Sequence, residues 1–268
     1  VPGGFVGVDV FFVISGYLIT GIIWTELKAG RFSFSRFFER RVRRLFPALL
    51  LTLSGTTAAA LALMTPTDLV AYAKDLVGGA LFVANIVFWA RAEDYFSAAP
   101  DLNTLLHLWS LAIEEQFYIF FPLCLIILRR LPQRWIAVVL TVAGAVSLVL
   151  AQRSIMRGSP GAFYLLPFRA WELLVGSLIV IGAPASPAAT VAACVSAAGL
   201  AAIATGILGF SAAVPFPGVA ALLPCIGTAA IIWSCSSCRP WTARFLSLPV
   251  LTYVGQLSYG FYLFHWPM

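Results

Sequence analysis

The sequence predicts an all-α fold, a polytopic bundle of transmembrane helices. The first observation is composition, because 61% of the 268 residues are hydrophobic and only 10% are charged, which excludes an ordinary soluble domain. The second is the length of the apolar runs, since about 17–25 apolar residues are enough to cross a bilayer as a helix. The third is the lack of the two-residue alternation that is typical of a membrane β-barrel.

The apolar runs predict about eight or nine membrane segments, joined by short linkers that contain proline, glycine and serine. In lipid the backbone polar groups must be satisfied within each segment, so long unbroken runs favour helices. The predicted segments are Phe5–Trp24, Leu45–Met64, Leu69–Ala90, Leu106–Leu128, Trp135–Ala151, Ala162–Gly182, Ala188–Phe210, Val219–Ser234 and Leu248–Met268. We expect a single membrane domain over residues 1–268, truncated at both ends, since the chain starts without Met and stops inside an apolar segment.

The segment Lys28–Arg44 holds the whole net charge of the chain. Its seven basic residues and one acidic residue give +6, which equals the net charge of all 268 residues. We interpret it as a loop between two membrane segments, and the positive-inside rule places it in the cytoplasm. Arg129, Arg130 and Arg134 favour the same side, although three predicted segments lie between. One of these segments must therefore fail to cross simply, and we expect a re-entrant Leu69–Ala90, because that segment contains polar residues and glycines.

The five cysteines do not have the spacing of a disulfide framework. Cys235 and Cys238 form a lone Cys-x-x-Cys pair, with no second pair of Cys or His residues to complete a zinc site. We therefore predict no metal site and no bound cofactor.

Four arginines lie at the mouth of the second predicted segment, namely Arg40, Arg41, Arg43 and Arg44. Each guanidinium group offers several donors in a fixed geometry that suits phosphate oxygens. One interpretation is a topology signal that contacts anionic lipid headgroups. The alternative is a binding site for a phosphorylated donor from the cytoplasm.

Glu114 and Glu115 are adjacent acidic residues inside an apolar segment. A charge near the bilayer centre costs about 2.5–3.5 kcal/mol or more, so such residues usually face the bundle interior or a wet cavity. At helical spacing His107, Ser110 and Glu114 share one face, although His107 and Glu114 are too far apart to touch. Two interpretations stay open, a functional site and a buried polar network in which one glutamate bonds Trp109 or Tyr118 of its own helix, or Arg169.

Five further polar residues lie within apolar segments. Arg169 and Glu172 are three residues apart and can form an ion pair on a helix. Asp9 lies just inside the first segment, where a lone carboxylate needs a partner or a chemical role. Tyr259 and His265 belong to an aromatic segment, where they are either membrane-interface anchors or cavity residues.

Together these segments resemble the acyltransferase 3 family of bacterial membrane O-acyltransferases. The resemblance covers nearly the whole chain, in the order of the family. It is carried by Gly-Val-Asp-Val-Phe-Phe-Val-Ile-Ser-Gly-Tyr-Leu-Ile (7–19), Arg-Arg-Val-Arg-Arg-Leu-Phe-Pro (40–47), His-Leu-Trp-Ser-Leu-Ala-Ile-Glu-Glu-Gln-Phe-Tyr (107–118), Arg-Ala-Trp-Glu-Leu-Leu-Val-Gly (169–176) and Leu-Ser-Tyr-Gly-Phe-Tyr-Leu-Phe-His-Trp-Pro (257–267).

The resemblance implies a multi-pass enzyme of the bacterial inner membrane. Such an enzyme transfers an acyl group, commonly acetyl, from cytoplasmic acyl-CoA to a hydroxyl of an extracytoplasmic carbohydrate or glycoconjugate. The resemblance associates the arginine motif with the acyl donor, and it therefore implies that Arg40, Arg41, Arg43 and Arg44 bind acyl-CoA.

The resemblance also implies a catalytic base that has no counterpart at the matching positions of this sequence. In the family, a helix that would precede Val1 carries an Arg and a His taken as the base, and neither His107 nor His265 corresponds to that His. Asp9, Glu114 and Glu115 are accordingly assigned to the catalytic centre as residues that orient the base or shape the cavity. Six further residues are assigned to the cavity or to its structural polar network, namely Ser110, His107, Arg169, Glu172, Tyr259 and His265.

A transporter or flippase without covalent chemistry is the alternative function, since intramembrane Glu, His and Arg are also typical of proton-coupled carriers. The sequence lacks the pair of interrupted segments, one in each half, that many carriers have. A structural membrane subunit would leave the buried glutamates unexplained. The expected partners are therefore acyl-CoA, a carbohydrate acceptor and the lipid bilayer, with no nucleic acid.

Overall fold

The computed structural model describes residues 3–91, 103–182, 187–211, 213–236 and 238–267. Over these residues the chain forms helices and connecting turns without a β-strand, which confirms the predicted all-α class. The helices within these ranges are α1 (Val6–Lys28), α2 (Phe34–Leu63), α3 (Pro66–Ala80), α4 (Ala84–Ala90), α5 (Leu108–Leu128), α6 (Gln133–Met156), α7 (Gly161–Tyr164), α8 (Leu166–Ile181), α9 (Ala189–Gly209), α10 (Leu222–Ser234), α11 (Trp241–Leu246) and α12 (Pro249–Phe264).

Within the described ranges, six helical segments are long and apolar enough to cross a membrane. They are α1, α2, α5, α6, α9 and Gly161–Ile181, the last of which contains α7 and α8. Two other predicted segments are shorter, since Val219–Ser234 falls below the length needed and α12 has 16 residues. The chain is a membrane protein, and the count of eight or nine segments stays a prediction that depends on these shorter helices.

The predicted segment Leu69–Ala90 is interrupted in its middle. It forms α3 with 15 residues and α4 with 7 residues, and neither helix alone is long enough to cross a bilayer. Phe82 lies between them with φ at +54°, in the left-handed region that stops an α-helix. Gln116 of α5 holds this break, because its amide donates to the Phe82 carbonyl at 3.0 Å and to Asn85 Oδ1 at 2.8 Å. This interruption agrees with the expectation that the segment does not cross simply.

Helices α1 and α8 approach each other closely through two glycines. A Cβ atom at Gly16 of α1 would lie 1.9 Å from the Leu173 carbonyl oxygen of α8, and one at Gly176 would lie 2.0 Å from the Val13 carbonyl oxygen. Small residues are favoured at membrane helix interfaces because they let the two backbones pack at short distance. The contact fixes α1 against α8 and leaves the opposite side of α1 free to line a cavity.

The basic segment is only partly a loop. Helix α2 begins at Phe34, so Arg36 and the residues that follow it are helical, and the interpretation of Lys28–Arg44 as a loop is wrong for its second half. Ser33 is extended and stands at the N-terminal end of the helix. The four arginines of the motif therefore project from the first turns of a helix, and their directions differ accordingly.

Candidate active site

A cavity of about 620 Å³ lies between α1, α2, α5 and α12. We call it the arginine cavity, because Arg40, Arg41 and Arg44 line one part of it. The wall from α1 is one helical face, formed by Gly7, Phe11, Ile14, Leu18 and Ile22. Gly7 and Ile22 are about 22 Å apart at the rise of an α-helix, so the cavity is long, mostly apolar and cationic at one part.

The four arginines of the motif have different environments. Arg40 pairs with Glu26 at 2.8 Å, and Arg43 pairs with Glu39 at 2.7 Å on the exposed side of α2. Arg43 is absent from the cavity wall, whereas Arg44 lines the cavity and makes no ion pair with any residue in the described ranges. Arg44 is therefore the cation of this motif that an anionic ligand can reach without displacing a carboxylate.

Arg41 occupies the centre of a polar cluster. Its guanidinium carbon lies 3.3 Å from the centre of the Tyr118 ring, and Nη2 lies 3.4 Å from Glu115 and 3.9 Å from Glu114. A guanidinium over an aromatic face is attracted by the ring quadrupole. The two glutamates predicted for the catalytic centre therefore hold Arg41 in place, with one cation shared between two carboxylates.

Glu114 is further bound by two hydroxyl groups. The Ser15 hydroxyl of α1 donates to Glu114 Oε1 at 2.7 Å, and the Tyr118 hydroxyl donates to the same oxygen. Ser15, Glu114 and Tyr118 also line the arginine cavity. The sequence offered Tyr118, one turn away on α5, as one of three possible partners of a glutamate, but no signal in the sequence indicated Ser15, which is 99 residues away.

A second cavity, of about 430 Å³, adjoins the first near the start of α1. We call it the histidine cavity, since His107 and His265 line it together with Trp109, Tyr262 and Trp266. The remaining lining residues are Gly4, Phe5, Gly7, Val8 and Ser110. No Lys, Arg, Asp or Glu side chain belongs to this described wall, so the histidine cavity differs from the arginine cavity in charge.

His107 precedes α5 and is 2% exposed. Neither ring nitrogen hydrogen bonds within the described part of the chain. The His107 carbonyl accepts from the Tyr262 hydroxyl, and the same hydroxyl lies 2.7 Å from Ser110 Oγ. The ring nitrogens of an imidazole at such a wall can take part in a hydrogen bond with a ligand hydroxyl.

Asp9, Arg169 and Glu172 form an ion cluster in the bundle core. Arg169 Nη1 lies 2.9 Å from Asp9 and 2.6 Å from Glu172, and all three residues are at most 1% exposed. They line neither the arginine cavity nor the histidine cavity. The predicted pair of Arg169 and Glu172 is present, but the structure places it, with Asp9, in the structural core rather than at the walls of these cavities.

The remaining predicted residues lie at the two cavities. Tyr259 lines the arginine cavity and donates to the Leu45 carbonyl at 3.2 Å. His265 lies at the histidine cavity, and Ser110 lines both. The structure therefore brings together residues of α1, α2, α5 and α12 that are up to 250 positions apart in the sequence.

The chain matches a known protein family. The acyltransferase domain family matches residues 2–268, almost the entire chain. The chain belongs to the acyltransferase 3 family. The resemblance that the five sequence segments predicted is thereby confirmed, and the domain is an acyltransferase rather than the transporter considered as its alternative.

Curated relatives of this acyltransferase domain differ in length. An uncharacterized protein of Haemophilus influenzae is 33% identical over 243 residues, which cover 85% of this chain and 98% of that protein. A candidate O-acetyltransferase of Staphylococcus aureus strain COL is 32% identical over 278 residues, 98% of this chain and 46% of that protein. O-acetyltransferase OatA of Staphylococcus aureus strain NCTC 8325 is 38% identical over 150 residues, 55% of this chain and 24% of OatA.

The chain therefore spans about half the length of the strain COL relative and a smaller part of OatA. No solved structure is a significant match to the chain.

Proposed function

We propose that this domain transfers an acyl group, most simply acetyl, from acyl-CoA to a hydroxyl of a carbohydrate or glycoconjugate. The observation that carries the proposal is the pair of adjoining cavities, one with three arginines in its wall and one whose described wall contains two histidines but no Lys, Arg, Asp or Glu. The family membership and the O-acetyltransferase names of two relatives support the reaction type.

The arginine cavity suits the donor. The phosphates of CoA would bind Arg44, Arg41 and Arg40 through charge-assisted hydrogen bonds. Of these three, Arg44 is not paired with a carboxylate in the described ranges. The apolar face of α1 runs from Ile22 to Gly7 and would take the extended pantetheine arm, which places the thioester near Ser110. Arg43 points away from the cavity, so we no longer include it among the residues that bind the donor.

The histidine cavity suits the acceptor. Its volume of about 430 Å³ lies in the range of small-molecule sites, about 300–1,000 Å³. Trp109, Tyr262 and Trp266 offer apolar ring surfaces, while His107 and Ser110 offer polar atoms for hydroxyl groups. A ligand with hydroxyl groups and apolar C–H faces fits this wall better than a phosphorylated ligand, since the described lining contains no Lys or Arg.

The proposed reaction exchanges one acyl bond for another. The acceptor hydroxyl oxygen attacks the thioester carbonyl carbon, a C–O ester bond forms and the C–S bond to CoA breaks. The hydroxyl proton is taken up by a general base and finally resides on the CoA thiol. By family resemblance the base is a histidine other than His107 and His265, and the described residues position the two substrates.

The orientation in the membrane follows from the same proposal. With Lys28–Arg44 in the cytoplasm, the arginine cavity faces the cytoplasmic pool of acyl-CoA, and the histidine cavity faces the opposite side. The enzyme would accordingly be a multi-pass protein of the bacterial inner membrane that modifies an extracytoplasmic acceptor.

A double variant of two cavity arginines tests the donor site. We expect Arg41→Ala with Arg44→Ala to weaken binding of radiolabelled acetyl-CoA to membranes at least about tenfold, since a hydrogen bond to a charged group contributes about 1.5–3 kcal/mol. Arg43→Ala is the matched control, because Arg43 belongs to the same motif but is exposed and lines neither cavity. Equal binding by the double variant and the control would exclude the arginine cavity as the donor site.

The same membranes test the reaction class. Acyl transfer leaves the radiolabel covalently attached to an acceptor that survives extraction and washing, whereas a carrier leaves no covalent label. Covalent label that depends on the wild-type protein is expected, and its absence with every carbohydrate fraction of the cell envelope would overturn the proposed transfer.

A further inference from the structure

The two cavities meet at a neck formed by four residues. Gly7, Val8, Ser110 and Tyr262 line both the arginine cavity and the histidine cavity. On one side of the neck the Ser110 and Tyr262 hydroxyls are joined by a hydrogen bond of 2.7 Å. On the other side lies the beginning of α1, where Gly7 has no side chain. Any group that passes between donor and acceptor must occupy this place.

Gly7 leaves space at the neck that the fold does not require. Among the described residues, a Cβ atom at Gly7 would meet no atom within 4 Å, in contrast to Gly16 and Gly176 of the helix interface, where it would collide with backbone. Gly7 lies inside α1, and the positive φ glycines of the described chain are Gly30 and Gly158. Its backbone therefore accepts any L-residue without strain, and a larger side chain would fill cavity space instead of disturbing packing.

We propose that this neck is the pocket for the acyl group of the donor, and that Gly7 determines the length of acyl chain that the enzyme accepts. The inference rests on the proposed function, because it takes the arginine cavity as the CoA site. It adds a specificity residue to that function, at a position that neither the charge pattern nor the polar residues indicated.

The length of the donor cavity is the physical reason for this assignment. If Arg41 and Arg44 bind the phosphates, the depth that the thioester reaches is fixed by the length of the pantetheine arm. The acyl chain extends beyond the thioester, so its last carbons meet the neck first. Against an apolar wall one methylene changes selectivity by about tenfold or more. Gly7 and Val8 form the apolar side of the neck, opposite the two hydroxyls, so the side chain at residue 7 would control how many methylenes fit.

Binding of three ligands to the full chain in lipid nanodiscs tests the proposal. CoA, acetyl-CoA and butyryl-CoA are titrated into the wild type, into Gly7→Val and into Gly21→Val. Gly21 is the matched control, since it also lies in α1 with no atom within 4 Å of a Cβ, but it lines neither cavity. Valine has the same helix propensity cost at both positions.

We expect Gly7→Val to bind CoA as the wild type does and to weaken binding of butyryl-CoA relative to CoA at least about tenfold. Acetyl-CoA should be affected less than butyryl-CoA, and Gly21→Val should leave all three affinities unchanged. Retained CoA binding also shows that the Gly7 variant is folded.

The other outcomes separate this inference from the function on which it rests. An unchanged ratio of butyryl-CoA to CoA affinity in Gly7→Val overturns the acyl pocket while the donor site stands. The same loss in Gly21→Val shows a general effect on α1 and also overturns it. If the wild type binds none of the three ligands, the proposed donor site itself fails, and the inference fails with it. If Gly7→Val does not bind CoA at all, Gly7→Ala is the smaller substitution to test. A butyryl-CoA affinity of Gly7→Ala that is no lower than that of the wild type would overturn the pocket.

Discussion

Arg169 illustrates at the scale of one residue how this bundle tolerates charge in its core. Its guanidinium group joins Asp9 of α1 to Glu172 of α8, and Nε donates to the Phe163 carbonyl at 3.3 Å. Four rings surround it, with centres 5.2–5.8 Å from the guanidinium carbon: Phe12, Trp109, Phe163 and Phe216. Such a cluster is costly to bury and more costly to break, because each remaining charge would have no partner.

We expect Arg169→Met to lower the free energy of unfolding by about 3–5 kcal/mol, since two buried carboxylates lose their shared cation. Arg130→Met is the matched control, because Arg130 is exposed in the turn after α5 and the same atoms are removed. Thermal unfolding in detergent micelles, followed by circular dichroism, measures the difference. Equal melting temperatures for the two variants would show that the cluster does not stabilise the fold.

At the scale of elements, α1 has two faces with opposite roles. One face packs on α8 through Gly16 and Gly176, where the backbones touch. The other face lines the arginine cavity from Gly7 to Ile22. The close contact with α8 therefore positions the wall of the arginine cavity. A substitution at the interface of α1 and α8 would shift that wall.

We expect Gly16→Ala to destabilise the protein by about 1–3 kcal/mol, the usual cost of overpacking a tight interface. The added methyl group would lie 1.9 Å from the Leu173 carbonyl oxygen, so α1 and α8 must separate. Gly21→Ala on the same helix serves as the reference, because its Cβ meets open space. A Gly16→Ala protein that melts with Gly21→Ala would contradict the tight interface.

The interruption between α3 and α4 shows how one element can depend on another. Lys74, Asp75 and Asn85 in an apolar run indicated an unusual segment, but they did not show where it breaks. The break lies at Phe82 because Gln116, on a different helix, bonds the carbonyl that the turn exposes. A side chain 34 positions away in the sequence thus decides the course of the backbone.

At the scale of the whole molecule, the uneven distribution of charge and the order of the two cavities along α1 favour the same orientation in the membrane. Seven basic residues lie between Lys28 and Arg44, where α1 ends and α2 begins. The histidine cavity lies at the opposite end of α1, beside Gly4 and Phe5. The proposed transfer from a cytoplasmic donor to an extracytoplasmic acceptor requires these two ends to face opposite sides of the membrane.

Cysteine labelling in intact bacterial cells tests that arrangement. Ser35 at the start of α2 and Ser159 after α6 are both exposed. In a background whose five native cysteines are replaced by alanine, Ser35→Cys should resist a membrane-impermeant maleimide and Ser159→Cys should react, following the positive-inside rule. Permeabilised cells should label both positions. Reaction of Ser35→Cys in intact cells, with Ser159→Cys protected, would reverse the proposed orientation.

The sequence by itself determined the all-α class, the apolar segments, the expectation that Leu69–Ala90 does not cross simply, and the family. These properties depend on composition, run length and short motifs, which are local in the chain. Local spacing also indicated the pair of Arg169 and Glu172, which lie within one helical turn. It offered Tyr118 only as one of three possible partners of a glutamate, and the structure shows that Tyr118 bonds Glu114.

Only the tertiary structure decided which of these residues meet. It showed that Arg44 lines the arginine cavity whereas Arg43 does not, and that Asp9 pairs with Arg169 in the core. It also showed that Ser15 contacts Glu114 and that Tyr262 contacts Ser110. It also revealed that Gly7 stands where two cavities adjoin. Such contacts join residues some 100–160 positions apart, and they depend on how helices pack. No local pattern in an apolar sequence records that packing, because many alternative arrangements bury the same apolar faces equally well.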